Sequence, residues 1–402
     1  MLNTLSPALR QYLIITANYW AFTLTDGALR MLVLLHFHEL GYSPLEVALL
    51  FVFYELFGVI SNLFGGWLAA YFGLNKTMNI GLATQLIALS MLLVPSPMLT
   101  VAWVMLAQAF SGIAKDLNKM SAKTAIKLLI PKGSQGKLYH WVTVLTGSKN
   151  SLKGLGFFLG AVLLSQLGFS GAITTLLTGL LFVFILSLLC LRKDMGKIKR
   201  KPKFTEIFSK SSVINKLAAA RLFLFCSRDV WFVVALPVFL NSQLNWNHWS
   251  IGSFLASWVI AYGLIQSITP LITKKLGQSA SIWAFVLAFI PLAIAVAISN
   301  STNIEFALIS GLLLFGAIFA INSSLHSYLI VSHAREEGAS MDVGFYYMAN
   351  AMGRLLGTVL SGLLYQEAGL VACLYLSSFF IFISAVIAIK IPRQSIAFNG
   401  LT

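Results

Sequence analysis

Basic side chains recur inside stretches of this sequence that are otherwise apolar. Lys149 and Lys153 lie four residues apart with Asn150 beside them, and Arg354 follows Asn350 at the same spacing of four. A spacing of four places two side chains on one face of a helix. Arginine can hold an oxyanion through two parallel hydrogen bonds, and lysine adds a mobile positive charge. The pattern therefore favours binding of an anionic group.

We place eight basic and four acidic residues of these apolar stretches within the membrane. Each ionised group in such a stretch costs at least about 2.5 to 3.5 kcal/mol, so these groups are expected to face a cavity or to pair. The excess of four positive charges would be offset by a bound anion. The basic residues are Arg30, Lys115, Lys119, Lys149, Lys153, Arg221, Arg228 and Arg354, and the acidic residues are Asp26, Glu55, Asp116 and Asp229.

We assign two roles to these residues and to the polar side chains that accompany them. Basic and neutral polar groups are expected to bind the substrate, and the acidic groups are expected to serve proton coupling or ion pairing. The substrate-binding candidates are Lys149, Lys153, Arg354, Lys115, Lys119, Arg30, Asn150, Asn350 and Tyr346. The candidates for coupling or ion pairing are Asp26, Glu55, Asp116, Asp229 and Arg228.

Some of these residues also allow a structural interpretation. Asp26 and Arg30 are four residues apart and could form an ion pair within one helix, which would keep Asp26 ionised. Arg228 and Asp229 are adjacent, so they are expected to point in different directions. Arg221 is expected to extend to the nearby membrane surface.

The apolar stretches that contain Lys115 and His326 leave similar alternatives open. Lys115 and Lys119 could form an entry funnel for an anion or could anchor the helix at the cytoplasmic surface. Anchoring is the favoured interpretation for Lys123 and Lys127. His326 could line a cavity, although an ordinary hydrogen-bonded helix histidine is favoured.

The composition excludes a soluble enzyme. Of the 402 residues, 58% are hydrophobic and only 10% are charged, whereas a soluble domain has roughly 25% charged residues. The sequence has three widely separated cysteines and lacks a nucleophile triad, a phosphate-binding loop and a metal-ligand spacing. We therefore expect no enzyme activity, no cofactor and no metal, and we interpret the net charge of +15 as membrane topology rather than nucleic-acid binding.

Twelve apolar segments of spanning length predict an all-α membrane protein. A basic cytoplasmic linker, 192–216, separates a six-helix half at 1–191 from a second at 217–402, which ends in a short cytoplasmic tail. The predicted spans are 11–38, 44–72, 77–95, 98–120, 139–167, 171–191, 217–240, 250–273, 279–299, 304–330, 343–366 and 370–390.

The connectors between these spans differ in charge. Alternate connectors carry the basic residues, and the opposite set contains no Lys or Arg, which places both termini in the cytoplasm. The uncharged connectors lie around Gly41, Ser96, Gly168, Asn245, Asn300 and Gly369.

A weak repeat relates the two halves. Asp26 and Asp229 lie 203 positions apart, and Lys153 and Arg354 lie 201 apart. Repeats of this kind characterise six-plus-six secondary transporters. The sequence resembles the major facilitator superfamily over nearly its whole length, and the resemblance implies two six-helix pseudo-repeats that alternate access to a central site.

The repeat also predicts a common depth for two of the cations. Lys153 and Arg354 each lie 15 residues before a connector glycine, Gly168 or Gly369, which is about 22 Å along a helix. Opposed across a cavity, the two side chains could bind one substrate.

A narrower resemblance lies in the N-terminal half. Three segments resemble the ArsJ branch of the superfamily, whose members export organoarsenicals: TDGALRMLVLLHFHELGYSPLE, SGIAKDLNKMSAK and TGSKNSLKG. The resemblance implies export of 1-arseno-3-phosphoglycerate across a bacterial inner membrane, and hence arsenate resistance. It also implies a functional pairing with glyceraldehyde-3-phosphate dehydrogenase, which makes that ester. A phosphate and an arsenate ester on one molecule agree with an excess of cavity cations.

Two other functions remain open at this point. A proton-coupled transporter of drugs, or of another organic anion or organophosphate, would depend on Asp26 and Glu55 and on nearby aromatic residues. A nontransporting sensor that signals through the linker 192–216 would show no substrate flux.

Overall fold

The computed structural model describes residues 7–41, 50–130, 133–191, 211–246, 248–300, 303–336 and 338–392. Within these ranges every regular element is a helix, which confirms the predicted all-α architecture. Most of the predicted linker, the start of the second predicted span and the tail from residue 393 lie outside the described residues.

Twelve long helical segments follow one another within the described ranges. The first half contains α1 (Pro7–Glu39), α2 (Val52–Phe72), α3 (Leu74–Met91), α4 (Val101–Leu129) and the segment Gln135–Cys190, which Gly168 divides into α5 and α6. The second half contains α7 (Ser212–Ser242), α8 (His248–Leu276), α9 (Ala280–Asn300), α10 (Ile304–His333) and the segment Ala339–Ile389, which Gly369 divides into α11 and α12.

Two predicted connectors are reduced to single glycines. Gly168 has φ 64° and Gly369 has φ 73°, and helix continues on both sides of each residue. A side chain disfavours this region of backbone conformation, whereas glycine adopts it readily. Each glycine therefore ends one helix and permits the next to begin at once.

In the part of the chain that the structure describes, seven helical segments are long and apolar enough to cross a membrane by length and composition. Two of them are the segments of 56 and 51 residues, and each contains two arms of spanning length. The helices α1, α3 and α4 complete the predicted twelve. They are less apolar because they carry charged and amide side chains, including those of the candidate site.

Of the helices that extend beyond their predicted ends, α4 and α7 extend furthest. The α4 helix continues to Leu129 rather than ending at 120, and α7 begins at Ser212 rather than at 217. Charged residues had delimited both predicted spans, but lysine is a good helix former and does not end a helix. Residues near these ends consequently lie deeper in their helices than the sequence suggested.

The helices pack into two compact units. The first contains α1 to α4, α5 from Ser148 onward, α6 and the segment Ala334–Met348. The second contains Gln135–Gly147, α7 to α10, α11 from Ala349 onward and α12. In the first unit α4 packs against α1, α2 and α3, and in the second unit α10 packs against α7, α8 and α9.

The units differ from the predicted halves by two exchanged segments, and glycines explain both. In the first unit Gly66 of α2 faces the backbone of Ser340 at the start of α11. In the second unit Gly147 near the start of α5 faces the backbone of Gly263 on α8. Helix backbones approach this closely only where one residue lacks a side chain.

Close backbone contacts at a glycine also occur at matching positions of the two repeats. A Cβ atom on Gly156 of α5 would lie 2.6 Å from the Leu24 carbonyl oxygen of α1. A Cβ atom on Gly357 of α11 would lie 2.8 Å from the Cys226 carbonyl oxygen of α7. Close packing at small residues is therefore present in both units, and it brings the α5 and α11 cations close to α1 and α7.

Gly156→Ala is expected to destabilise the first unit by about 1 to 3 kcal/mol, because the added methyl group overpacks the contact with α1. Thermal unfolding of the purified protein measures the effect as a lower Tm. Gly179→Ala is the matched control, since nothing lies within 4 Å of a Cβ atom at that position of α6. Equal Tm values for the two variants would contradict the close contact between α1 and α5.

Candidate functional site

Among the described residues, buried and partly buried charges gather in two clusters, one in each unit. We call the first the Tyr54 cluster, and it comprises Asp26, Arg30, Tyr54, Glu55 and Lys115. We call the second the Asp229 cluster, and it comprises Arg228, Asp229 and Arg354.

Tyr54 lies at the centre of the Tyr54 cluster. Its hydroxyl donates to Asp26, with Oδ1 and Oδ2 at 2.7 and 2.9 Å. The Arg30 guanidinium carbon lies 4.0 Å from the centroid of the tyrosine ring, and the Lys115 ammonium lies 3.8 Å from it. One side chain from α2 thus holds a carboxylate and a guanidinium from α1 and an ammonium from α4.

The ion pairing of Arg30 differs from the sequence interpretation. Arg30 donates to Glu55 Oε1 at 2.9 Å, so its partner is a carboxylate on α2, whereas Asp26 receives the Tyr54 hydroxyl. The pair Asp26 and Arg30 expected within α1 is therefore corrected. Tyr54 contacts Asp26 of α1, and the adjacent Glu55 contacts Arg30 of α1. These contacts depend on how α1 and α2 pack, which spacing along one helix cannot predict.

A further ion pair lies one turn along α4. Lys119 donates to Asp116 Oδ1 at 2.6 Å, and Ser61 of α2 donates to Asp116 Oδ2 at 3.2 Å. The Lys119 ammonium also lies 4.5 Å from the ring centroid of Tyr347. The structure thus places Asp116 in an ion pair, the role in which it was a candidate.

The α5 candidates lie half-buried in the first unit. Lys149, Asn150 and Lys153 follow one another along the helix, and the Lys153 ammonium lies 6.0 Å from the ring centroid of Phe157. The Lys153 backbone packs against Gly27, the residue after Asp26. The lysine face of α5 therefore belongs to the same unit as the Tyr54 cluster, next to α1.

The Asp229 cluster corrects a second expectation. Arg228 Nε donates to Asp229 Oδ1 at 2.6 Å, although adjacent helical residues were expected to diverge. The long arginine side chain curls back along α7 to reach its neighbour. Arg354 Nε of α11 donates to the other oxygen, Asp229 Oδ2, at 3.2 Å, which identifies a partner that the sequence did not name.

Aromatic rings surround Arg228. Its guanidinium carbon lies 4.9 Å from the ring centroid of Phe225, 5.7 Å from that of Phe319 and 5.8 Å from that of Phe232. These rings belong to the aromatic core of the second unit, which also contains Trp231. The arginine is therefore stabilised by π faces as well as by Asp229.

Arg221 was assigned to the membrane surface, and this assignment is wrong. The residue is only 4% exposed. Its Nε donates to Asn350 Oδ1 at 2.8 Å, and its NH1 donates to the Ser323 carbonyl and hydroxyl oxygens, both at 3.1 Å. Asn350, a predicted substrate-binding residue, thus orients an arginine that the sequence interpretation had left out of the site.

The buried polar run of α10 was the signal that could have found this region. Asn322, Ser323 and Ser324 are all at most 1% exposed, and so is His326. Neither ring nitrogen of His326 forms a hydrogen bond to another described residue. The expected hydrogen-bonded helix histidine is therefore not observed at this position.

Two other predicted residues occupy buried positions in the first unit. Lys123 is 2% exposed, so its predicted extension to the membrane surface is wrong. Tyr346 is fully buried in the segment Ala334–Met348, and its ring packs edge-on against Tyr347 with 5.0 Å between centroids. Within the described ranges, no group of three His, Cys, Asp or Glu residues is arranged to hold a metal ion.

Most of the chain matches a known protein family. The family model described as the Major Facilitator Superfamily matches residues 12–350. No curated protein sequence gives a significant match.

Solved structures match over almost the whole chain. The human organic anion transporter MFSD10 (TETRAN) superposes with a TM-score of 0.77 and 15% identity, covering 96% of this chain and 100% of that chain. The proton:xylose symporter XylE gives 0.74 and 13%, covering 95% and 96%. A bacterial homologue of the iron transporter ferroportin, in an outward-facing state, gives 0.74 and 16%, covering 94% and 98%. At these identities the likeness establishes the fold alone.

Proposed function

The chain belongs to the major facilitator superfamily, whose members transport small solutes across membranes, and from this premise we propose that its substrate is an organic anion. The chain is a multi-pass membrane transporter rather than an enzyme. The nature of the substrate follows from the two clusters of buried charge.

The observation that carries the proposal is how the buried cations are stabilised. Lys115 and Arg30 lie over the Tyr54 ring, and Arg228 and Arg354 share one carboxylate. A π face stabilises a cation without cancelling its charge. A shared carboxylate neutralises only half of two guanidinium charges. The Asp229 cluster therefore retains one positive charge. The two carboxylates of the Tyr54 cluster balance Arg30 and Lys115, and the positive excess of the first unit comes from Lys149 and Lys153 on the neighbouring α5. An anion would neutralise both excesses on binding.

We propose that the cations of each cluster bind an anionic group, and that both clusters select the same class of substrate. In the first unit the proposed substrate-binding residues are Lys115, Arg30, Lys149, Lys153 and Asn150. Lys119, one turn from Lys115 on α4, and Tyr346 of the same unit are further candidates. In the second unit Arg354 is the principal contact, and Asn350 acts through Arg221. Arginine and lysine donors suit phosphate and arsenate oxygens.

The specific substrate we propose is 1-arseno-3-phosphoglycerate, exported from the cytoplasm of a bacterium by alternating access, with both chain termini cytoplasmic. The resemblance to the ArsJ branch supports this choice. The two anionic groups of the ester also match the excess of basic side chains. The dehydrogenase that makes the ester would then act before the transporter and confer arsenate resistance with it. Trivalent arsenic, which thiolates bind, is disfavoured since Cys190, Cys226 and Cys373 are separate free thiols.

Asp26 is the proposed coupling carboxylate. Glu55, Asp116 and Asp229 each accept from a basic side chain, whereas Asp26 accepts from the neutral Tyr54 hydroxyl. Asp26 thus differs from Glu55 in accepting from a phenol rather than from a cation, and this difference supports the choice.

Uptake into inverted membrane vesicles tests the proposed function. The ester is made in place by glyceraldehyde-3-phosphate dehydrogenase with arsenate and compared with 3-phosphoglycerate, inorganic arsenate and a lipophilic cation. We expect uptake of the ester and none of the lipophilic cation, which the excess positive charge repels. Uptake of the cation alone would favour a drug exporter, and the absence of any flux would favour a nontransporting sensor.

A further inference from the structure

A single buried carboxylate serves two arginines in the second unit. Asp229 is fully buried, and its Oδ1 lies 2.5 Å from NH2 and 2.6 Å from Nε of Arg228. Its Oδ2 lies 3.2 Å from Arg354 Nε. The carboxylate is therefore positioned between two guanidinium groups that it does not neutralise completely.

The two arginines are held unequally. Two short contacts join Arg228 to Asp229, and one longer contact joins Arg354 to it. The Arg354 side chain is 25% exposed, compared with 16% for Arg228. Because charge-assisted hydrogen bonds shorten as they strengthen, Arg354 has the weaker bond to the carboxylate and the better access to a ligand.

The α7 and α11 backbones are in direct contact beside Asp229. A Cβ atom on Gly357, one helical turn beyond Arg354, would lie 2.9 Å from Asp229 Cβ. This contact fixes the carboxylate next to α11. Of the pair, the Arg354 side chain is the accessible one, at 25% exposed against 1% for Asp229.

We propose that Asp229 is an internal anion that occupies Arg354 while the transporter is empty, and that an anionic group of the substrate displaces it. The inference rests on the proposed function and deepens it. When the substrate takes Arg354, Asp229 keeps its two contacts to Arg228, so that no buried charge loses its partner. Removing one partner of a buried pair otherwise costs several kcal/mol, and the exchange avoids this cost in both directions.

The consequence is that Asp229 weakens substrate binding and promotes release. Without the carboxylate, Arg354 would lose the bond that competes with the substrate. Affinity would rise by the free energy with which Asp229 competes, and release would slow correspondingly.

The test is a double-mutant cycle on the full-length protein, with 3-phosphoglycerate as the probe and Kd measured by titration calorimetry. We expect Asp229→Asn to bind the probe five- to fiftyfold more tightly and to transport it more slowly. In the Arg354→Gln background the gain from Asp229→Asn should vanish. A gain that persists without Arg354 would reflect general electrostatics and would overturn the proposal, as would unchanged or weaker binding by folded Asp229→Asn.

Asp342→Asn is the matched control. Asp342 is fully buried and pairs with Arg335 at 2.8 Å, outside both clusters. Its substitution removes the same charge and should leave Kd unchanged. A tightening equal to that of Asp229→Asn would overturn the proposal.

A measurement on the wild-type protein covers the case in which Asp229→Asn does not fold. With ¹⁵N-labelled arginine, the probe should shift the Nε resonance of Arg354, assigned through Arg354→Gln, and should leave that of Arg228 in place. Probe binding with an unmoved Arg354 resonance would overturn the displacement and leave the proposed function standing. Failure of the wild-type protein to bind any organic anion would overturn both.

Discussion

Arg354→Gln, Lys153→Gln and Lys149→Gln are each expected to reduce uptake of the anionic ester by about tenfold to a hundredfold. A hydrogen bond to a charged group contributes about 1.5 to 3 kcal/mol, and each 1.36 kcal/mol corresponds to a factor of ten. Glutamine retains much of the side-chain length and removes only the charge. Initial rates in inverted vesicles, normalised to the amount of protein in the membrane, measure the effect.

Lys76→Gln is the control for these variants. Lys76 is exposed in the first turn of α3 and lies outside both clusters. Its substitution removes one positive charge from the same protein and should leave uptake unchanged. Normal uptake by all three site variants would remove the cations of α5 and α11 from the binding site.

Replacing Tyr54 with leucine is the second large effect we expect. Tyr54→Leu removes the donor to the buried Asp26 carboxylate, at a cost of about 1 to 3 kcal/mol. It also removes the π face under Arg30 and Lys115, and a desolvated cation–π contact contributes about 2 kcal/mol. We therefore expect a lower Tm and more than about tenfold weaker binding of 3-phosphoglycerate, as measured by calorimetry.

Tyr54→Phe separates the two contributions. Phenylalanine keeps the ring beneath both cations and loses only the hydroxyl group, so Kd should remain close to the wild-type value while Tm falls. Equal Kd values for Tyr54→Leu and the wild-type protein would show that the ring does not position the cations. Equal losses of affinity in Tyr54→Phe and Tyr54→Leu would assign the effect to the hydroxyl bond with Asp26.

The sequence was sufficient to predict the helices because apolar length is a local property. Gly168 and Gly369 were expected to separate spans, and both do so as single residues. Errors in the predicted helix ends led to wrong predictions of how deeply some charged residues lie. With α7 beginning at Ser212 and α4 ending at Leu129, Arg221 and Lys123 lie farther inside their helices than predicted, and both are buried.

The partners of the charged residues could not be predicted in the same way. Spacing along a helix identifies neighbours three and four residues away, and so it suggested Asp26 for Arg30. The observed partner, Glu55, lies on α2, and its reach depends on how α1 and α2 are rotated about their axes. The bond between Arg228 and Asp229 depends on the conformation of one side chain, which helical spacing does not determine.

The repeat was the most informative sequence feature for the second unit. The repeat relates Asp26 to Asp229, and both carboxylates are buried. It did not predict that Tyr54 would hold one carboxylate and that two arginines would share the other. The two clusters have therefore diverged in partner chemistry while the glycine contacts of α5 and α11 have kept the same helix arrangement.

The central claim, that these clusters bind an organic anion, is tested most directly by ligand-dependent thermal stability of the purified protein. The ligands are 3-phosphoglycerate, uncharged glycerol and tetraphenylphosphonium, each at the same concentration. A ligand present at 100 times its Kd stabilises the folded state by about 2.7 kcal/mol. The account predicts that only 3-phosphoglycerate raises Tm and that the combined variant Lys153→Gln, Arg354→Gln loses the shift. A rise in Tm with tetraphenylphosphonium and none with 3-phosphoglycerate would contradict it.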